Sequence, residues 1–195
     1  MAAQSPYLRQ WEQFKAQTNS HTLEVLHLDG LYRHLRMQAP DTRVWSWDVI
    51  TWPGYLATVG DVANGYMFTR IEDMLNFFDG ADRNGVPYIN PGYWAEKMPG
   101  GHDSVLRWSA DLFVDAVRGR AVDLGLEDAT VADLAERARW CSDSMYEAND
   151  WLRDEPQFAG IDCSELLDGC REYSHQFITA CFAIVTTIKA YHERD

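Results

Sequence analysis

The sequence predicts an α+β fold: an antiparallel β-meander of about five strands covered by helices and followed by a three-helix C-terminal layer. Two observations predict it. Apolar and polar residues alternate between positions 21 and 70 and are interrupted by short turn sequences, whereas apolar residues recur at helical spacing after Gly100. The 195 residues, 46% of them hydrophobic, suit a single domain. We expect a sheet-containing part over residues 1–98 and a helical part over 102–195.

The first hairpin is predicted from the sequence Asp29-Gly30, which favours a two-residue turn between strands at 21–28 and 31–37. With these two residues in the loop, directly opposed residues share a face of the sheet. One face then carries His27, Tyr32, His34 and Arg36 beyond Leu23 and Val25. The other face carries Leu26, Leu28, Leu31 and Leu35 with Arg33. The leucine-rich face is the better core candidate, and a slip of one residue would undo this grouping.

Three further strands are expected at residues 43–51, 55–59 and 66–70, because turn residues separate them at Pro53-Gly54 and Asn64-Gly65. Short connections place sequential strands side by side. In the first of these strands, Trp45 and Trp47 fall on one face, so both should be buried or both displayed.

Helices are expected before and after the meander. Ser5 is the predicted N-cap of a helix at 5–17, and short helices follow at 72–78 and from Asn90 to Lys97. Three long helices are predicted beyond Gly101. They begin at Asp103 or Ser104, at Thr130, and at Asp162 or Ser164. The last is apolar on several sides and is expected at the centre of the helical layer.

Composition bounds the kind of partner. The net charge of −13 repels a phosphate backbone, so generic nucleic-acid binding is not expected. The acidity fits ordinary solubility, or mimicry of the charge of a nucleic acid. No signal or membrane segment is recognised, since the apolar stretch 177–188 is too short, and we expect a soluble cytoplasmic protein. The four cysteines lack close pairs and are expected to be buried free thiols; no metal or cofactor is expected, and the oligomeric state stays open.

One candidate site is the polar face of the first hairpin. His27, Tyr32, His34 and Arg36 provide titratable and anion-binding groups, and Asp48 could orient a histidine. The ordinary interpretation is the solvent face of a half-buried sheet. A metal site built from His21, His27 and His34 with Asp48 or Asp61 is a weaker alternative. No nucleophile motif or phosphate-binding glycine loop is present in the sequence.

A second candidate is aromatic. Trp45, Trp47, Trp52 and Tyr55 lie close together in the sequence, with Tyr66 a little further on. They are either core residues or a protein-binding surface. An exposed Trp52 would favour the binding surface.

A series of short motifs runs through the same region: Tyr32-Arg33-His34-Leu35-Arg36, Trp47-Asp48-Val49-Ile50-Thr51-Trp52-Pro53-Gly54, Phe68-Thr69-Arg70 with Asp73-Met74 and Phe77-Phe78, and Ile89-Asn90-Pro91-Gly92-Tyr93-Trp94 with Glu96-Lys97. Over residues 31–98 the chain resembles a family of uncharacterised bacteriophage and prophage proteins. The resemblance implies an accessory protein that acts inside a bacterial host cell, in host takeover or counter-defence such as inhibition of a host immune system. It assigns no catalytic or binding residue.

Two hypotheses follow. The first is a non-enzymatic protein that binds a host or phage protein through its acidic surface and aromatic sheet region. It expects a contiguous exposed aromatic or acidic patch. The alternative is a small-ligand-binding protein or hydrolase-type enzyme, which expects His27, Tyr32, His34, Arg36 and Asp48 to converge on one concavity.

Overall fold

A five-stranded antiparallel sheet whose strands follow one another in chain order organises the fold. The computed structural model describes residues 5–63, 65–80, 82 and 85–194. The strands are β1 (Thr22–Asp29), β2 (Tyr32–Gln38), β3 (Trp47–Trp52), β4 (Tyr55–Gly60) and β5 (Met67–Thr69). The predicted α+β class and the five-stranded meander are thus confirmed. The Asn64 position of the predicted Asn64-Gly65 turn lies outside the described residues.

The chain forms two compact units. The sheet unit comprises the chain up to Val105 and again from Tyr173, and the helical unit comprises Leu106–Glu172. The division therefore falls after Val105 and before Tyr173, where the sequence suggested a boundary between residues 98 and 102. In the sheet unit, the chain leaves and returns at adjacent points, since the backbone N–H of Ser174 donates to the carbonyl of Val105 at 2.9 Å.

Three helices of the sheet unit begin close to their expected positions: α1 (Leu8–Thr18), α2 (Met74–Phe78) and α3 (Pro91–Ala95). A fourth, α8 (His175–His192), ends the chain and begins later than the predicted start at Asp162 or Ser164. The N-cap of α1 is Tyr7 and not Ser5 as predicted. The Ser5 hydroxyl accepts a hydrogen bond from the backbone N–H of Tyr7. Asn90 caps α3 and is followed by proline, as predicted.

The three long helices expected after Gly101 are interrupted. The helical unit contains β6 (Leu106–Trp108), α4 (Ala110–Asp123), α5 (Asp128–Trp140), α6 (Met145–Asp154) and α7 (Ser164–Asp168), and β6 pairs with β7 (Arg171–Tyr173). Serine caps explain the difference. The hydroxyls of Ser109, Ser144 and Ser174 each accept a backbone N–H of the first turn of α4, α6 and α8. The apolar spacing continues across a serine that begins a new helix. Spacing alone therefore predicted one long helix where the chain forms two shorter elements.

The last helix lies in the core of the sheet unit, and its expected place in the helical layer was wrong. Phe177, Phe182 and Ile184 of α8 are fully buried, and the indole N–H of Trp47 in β3 donates to the Thr187 hydroxyl at 2.8 Å. A helix that is apolar on several sides needs a core around it, and the sheet supplies that core. The α8 helix therefore holds the inner face of the meander.

The inner face of the sheet is defined by buried side chains of β2 to β5. They are Leu35, Met37, Trp47, Val49, Leu56 and Phe68. Leu35 was predicted to be in the core, but Leu26 and Leu28 were wrongly placed there: they are 39% and 48% exposed. The reason is that β1 is an edge strand, so its side chains have a neighbouring strand on one side only.

Candidate functional site

The register of the first hairpin differs from the predicted one in two ways. Asp29 pairs with Tyr32, so the loop residues are Gly30 and Leu31, and Gly30 has the positive φ (58°) that the first loop position of a type II′ turn needs. A bulge between Val25 and His27 then shifts the pairing by one residue. His27 consequently faces His34 and not Tyr32.

The bulge also changes the partners beyond it. Leu23 pairs with Met37 and Val25 pairs with Leu35, both inner-face residues, which corrects the expectation that they oppose Arg36 and His34. The polar residues nevertheless keep one side of the sheet. We call this side the outer face; it carries Glu24, His27, Tyr32, His34, Arg36, Asp48, Ile50, Trp52, Tyr55, Ala57, Val59 and Met67.

Three of the five predicted site residues make direct contact on the outer face. The Arg36 guanidinium donates to both carboxylate oxygens of Asp48, each at 2.7 Å. His34 Nε2 lies 2.7 Å from the same Oδ2 atom. Burial by itself raises the pKa of Asp48, but the hydrogen bonds from Arg36 and His34 outweigh it and hold that pKa below its usual range. Asp48 therefore ties β2 to β3 as a carboxylate.

The geometry of this cluster favours a structural role. Both oxygens of Asp48 already accept hydrogen bonds from Arg36 or His34, so the carboxylate is engaged within the sheet. His27 lies opposite His34 and Tyr32 lies two residues before it, yet among the described residues neither forms a hydrogen bond with Asp48. Two pockets of the sheet unit are lined by other residues, around Trp11 and Lys189 and around Arg70 and Lys97. The five predicted residues share the outer face, and direct contacts join three of them, His34, Arg36 and Asp48.

The aromatic candidates separate into three environments. Trp52 and Tyr55 stand opposite each other at the β3–β4 turn and stack, with ring centroids 5.2 Å apart and planes inclined by 15°. Both belong to the outer face. Trp47 is a core residue that is fully buried against Phe14 and α8, so it is not an interaction residue.

The prediction that Trp45 shares a strand face with Trp47 was also wrong. Trp45 precedes β3 and has a positive φ of 62°, a backbone conformation that residues other than glycine rarely adopt. Two contacts hold its backbone there: its N–H donates to Asp61 Oδ2, and its carbonyl lies 3.0 Å from His21 Nε2. A third, from the N–H of Ser46 to the carbonyl of Arg43, spans the residue. The Trp45 side chain is exposed outside the sheet.

These contacts also show what His21 and Asp61 do in the structure. His21 stacks on Trp47 with ring centroids 5.3 Å apart, and Asp61 is engaged by the Trp45 backbone. Within the described ranges, no three histidine, cysteine or acidic side chains come together as a metal-binding group. The alternative set of His21, His27 and His34 with Asp48 or Asp61 is thus dispersed.

A second ion pair, which sequence analysis missed, lies on the inner side of the sheet. The Arg33 guanidinium donates to both oxygens of Asp73, at 2.8 and 2.9 Å, and sits over the Tyr191 ring. Asp73 also caps α2 by accepting the N–H of Leu75. The Arg33 bonds, and to a lesser degree the helix cap, lower the pKa of Asp73. The available signal was an arginine among leucines, which needs a carboxylate partner when buried.

The four cysteines are free. Cys170 and Cys181 are buried, and burial raises the pKa of Cys170 to about 11 and that of Cys181 well above its ordinary value. Cys163, which is half-buried, also has a raised pKa for the same reason. A raised pKa keeps these thiols protonated, and a protonated thiol is a poor nucleophile.

Comparison with known proteins identifies no relative: no protein-family model, curated protein or solved structure matches this chain. A search for membrane spans over the described residues found no helix with the length and apolarity to cross a bilayer.

Proposed function

We propose that this chain is a non-enzymatic binding protein that docks a partner protein on the outer face of its sheet. The observation that supports this is the group of apolar side chains that shares the outer face with the polar cluster and stays partly exposed in the described part of the chain. Directly opposed pairs build it: Trp52 faces Tyr55, and Ile50 faces Ala57, which in turn faces Met67. Polar alternation is the rule on a solvated sheet face, so this area needs another explanation.

Exposure extends across the face. Tyr32, Tyr55, Val59 and Met67 are all more than a third exposed, while Ile50, Trp52 and Ala57 are half-buried among them. Adjacent exposed apolar side chains favour protein contact, and aromatic residues are enriched in such contacts. The paired cluster of Asp48, Arg36 and His34 borders this area and would form a polar rim with satisfied hydrogen bonds.

We further propose the setting that the motif resemblance implies. In this proposal the chain is a phage-encoded accessory protein in the bacterial host cytoplasm, and its partner is a host or phage protein, in counter-defence for example. The observation behind the setting is the motif series over residues 31–98. The partner would carry an apolar patch that matches the outer face.

Site-specific photocrosslinking tests the docking surface. A photoreactive phenylalanine analogue is placed at Val59, which is 44% exposed on the outer face, or at Val122, which is 58% exposed on α4 of the helical unit. In phage-infected cells we expect one dominant crosslinked protein from position 59 and none from position 122. With that protein purified, Val59→Arg should weaken binding at least tenfold, since a buried charge costs more than 1.4 kcal/mol, and Val122→Arg should change it less than about twofold.

The competing enzyme hypothesis gives a different pattern. It expects the activity of the protein in infected cells to depend on Asp48 and His34 and to be retained in the Val59→Arg variant. Equal crosslinking at both positions, or full binding by the Val59→Arg variant, would refute docking on the outer face.

A further inference from the structure

The negative charge of the protein is concentrated in the helical unit. Residues 106–172 contain sixteen aspartates and glutamates against seven arginines and no lysine or histidine, so this unit carries −9 of the total −13. Several of the arginines are already paired, including Arg118 with Asp115, Arg139 with Asp111 and Arg153 with Asp150. A surface of this kind attracts cationic groups.

A groove of about 550 Å³ opens in the same unit between α6 and the segment 158–168. Its floor is formed by the buried side chains of Leu152, Phe158 and Leu167. Its sides include the exposed side chains of Met145 and Tyr146. The volume and the apolar floor match sites that bind a drug-sized group or a large side chain.

The rim of the groove is polar and carries two carboxylates and one arginine. Asp162 and Asp168 line it, and Arg153 is the cation among the lining residues. The Arg153 guanidinium lies 3.2 Å from Asp150, which offsets its charge. Asp162 accepts the backbone N–H of Ser164 at 2.9 Å, and this bond lowers the pKa of Asp162, so the carboxylate is ionised at neutral pH. An aromatic ring at the entrance, Tyr146, can also attract a cation.

We propose that this groove binds a segment of a partner protein in which a large apolar side chain lies next to a basic one. The apolar side chain would occupy the floor over Leu152, Phe158 and Leu167, and the basic side chain would meet Asp162 and Tyr146 at the rim. This goes beyond the function proposed above, because it concerns a different surface, in the helical unit. An apolar floor selects the first side chain, and the net acidity of the rim and of the unit selects the second.

Titration of the full-length protein with capped dipeptides, followed by NMR of methyl groups, tests the proposal. The probes are acetyl-Phe-Lys-amide, acetyl-Phe-Glu-amide and acetyl-Ala-Lys-amide. We expect Phe-Lys to shift the methyl signals of Met145, Leu152 and Ile161 and to bind at least about fivefold more tightly than either other probe. An electrostatic contribution of this size, about 1 kcal/mol, is typical of a partly exposed pair and should shrink at high salt.

The variant Asp162→Asn separates charge from structure, since asparagine can still accept the Ser164 N–H. It should reduce the preference for Phe-Lys over Phe-Glu at least about twofold, while Asp168, Tyr146 and the net charge of the unit retain the remainder. Asp143→Asn, at an exposed position outside the groove, is the matched control and should leave that preference unchanged. Equal affinity for all three probes, or shifts spread outside the groove, would overturn the proposal. None of these outcomes depends on whether the outer face of the sheet binds a partner.

Discussion

The sheet unit and the helical unit differ in how they use charged side chains. In the sheet unit, Arg36 and Arg33 each grip a carboxylate with two hydrogen bonds, and both pairs join separate elements of the fold. The helical unit has one comparable buried acid, Glu155, held by Arg137, and most of its other carboxylates face solvent. Charge therefore fixes internal geometry in the first unit and creates an external field in the second.

The largest expected effect concerns the core of the sheet unit. Trp47→Ala removes a fully buried ring together with its hydrogen bonds to Thr187 and Ala183, and should lower the free energy of unfolding of the sheet unit by about 4 kcal/mol. Hydrogen exchange of the sheet-unit amides measures it. Trp140→Ala, at a position 81% exposed on α5, should cost less than about 0.5 kcal/mol. Equal costs for the two tryptophans would contradict this description of the core.

A smaller effect tests the buried acid of the helical unit. Arg137→Ala leaves the Glu155 carboxylate buried without its ion-pair partner and should lower the free energy of unfolding by about 3 kcal/mol. Urea denaturation measures the change. Adding Glu155→Ala should cost less than it does in the otherwise unchanged protein, because the two groups are coupled.

The matched control for that pair is Arg118→Ala, which removes an exposed pair with Asp115 and should cost no more than about 0.5 kcal/mol. If the two arginines prove equivalent, the contrast between internal and external charge does not hold in the helical unit.

The third prediction concerns acid sensitivity of the sheet unit. Asp73→Asn keeps the helix cap but loses the ion pair with Arg33, and should cost about 2 kcal/mol at neutral pH. The folded-state pKa of Asp73 is lowered, so its contribution is complete above the pKa of an unfolded aspartate, about 3.9, and is lost as the pH falls from there through the lower folded-state pKa.

Stability should consequently depend less on pH in this acidic range in Asp73→Asn than in the unsubstituted protein. Urea titrations at a series of pH values measure this dependence. Asp79→Asn, at an exposed residue just after α2, should leave the dependence as it is. An unchanged slope in Asp73→Asn would show that the Arg33 pair does not stabilise the fold.

The sequence was sufficient for the order of the strands because turns are local. Pro53-Gly54 predicts the β3–β4 hairpin, because glycine readily adopts the positive φ, here 84° at Gly54, that such a turn requires. The exact pairing in the first hairpin was not accessible, because Asp29-Gly30 can stand in the loop in two ways and the bulge at Leu26 leaves no residue signature. The turn moves the pairing by two residues, which leaves His27 on its predicted face. The bulge then moves the pairing by one residue, which places Leu23 and Val25 on the opposite face from the one predicted.

The sequence predicted which residues lie together in the candidate site better than it predicted their role. Alternation placed His34 and Arg36 on one face, Asp48 was added as a group that could orient a histidine, and the structure brings these three together. The sequence could not show that they satisfy one another, because that depends on distances between strands. The groove beside α6 was missed altogether, since its lining comes from helix and loop residues whose spacing has no motif.

The hydrogen bond between Ser174 and Val105 has a consequence for how such a chain can be altered. The chain leaves the sheet unit after Val105 and re-enters it at Tyr173, and these positions are neighbours. The 67 residues of the helical unit, 106–172, therefore begin and end at one place in the sheet unit. Any segment with similarly close ends could replace them without lengthening the chain path of the sheet. The helical unit is therefore an insertion between two parts of the sheet unit, and its length can vary without a change in the chain path of the sheet.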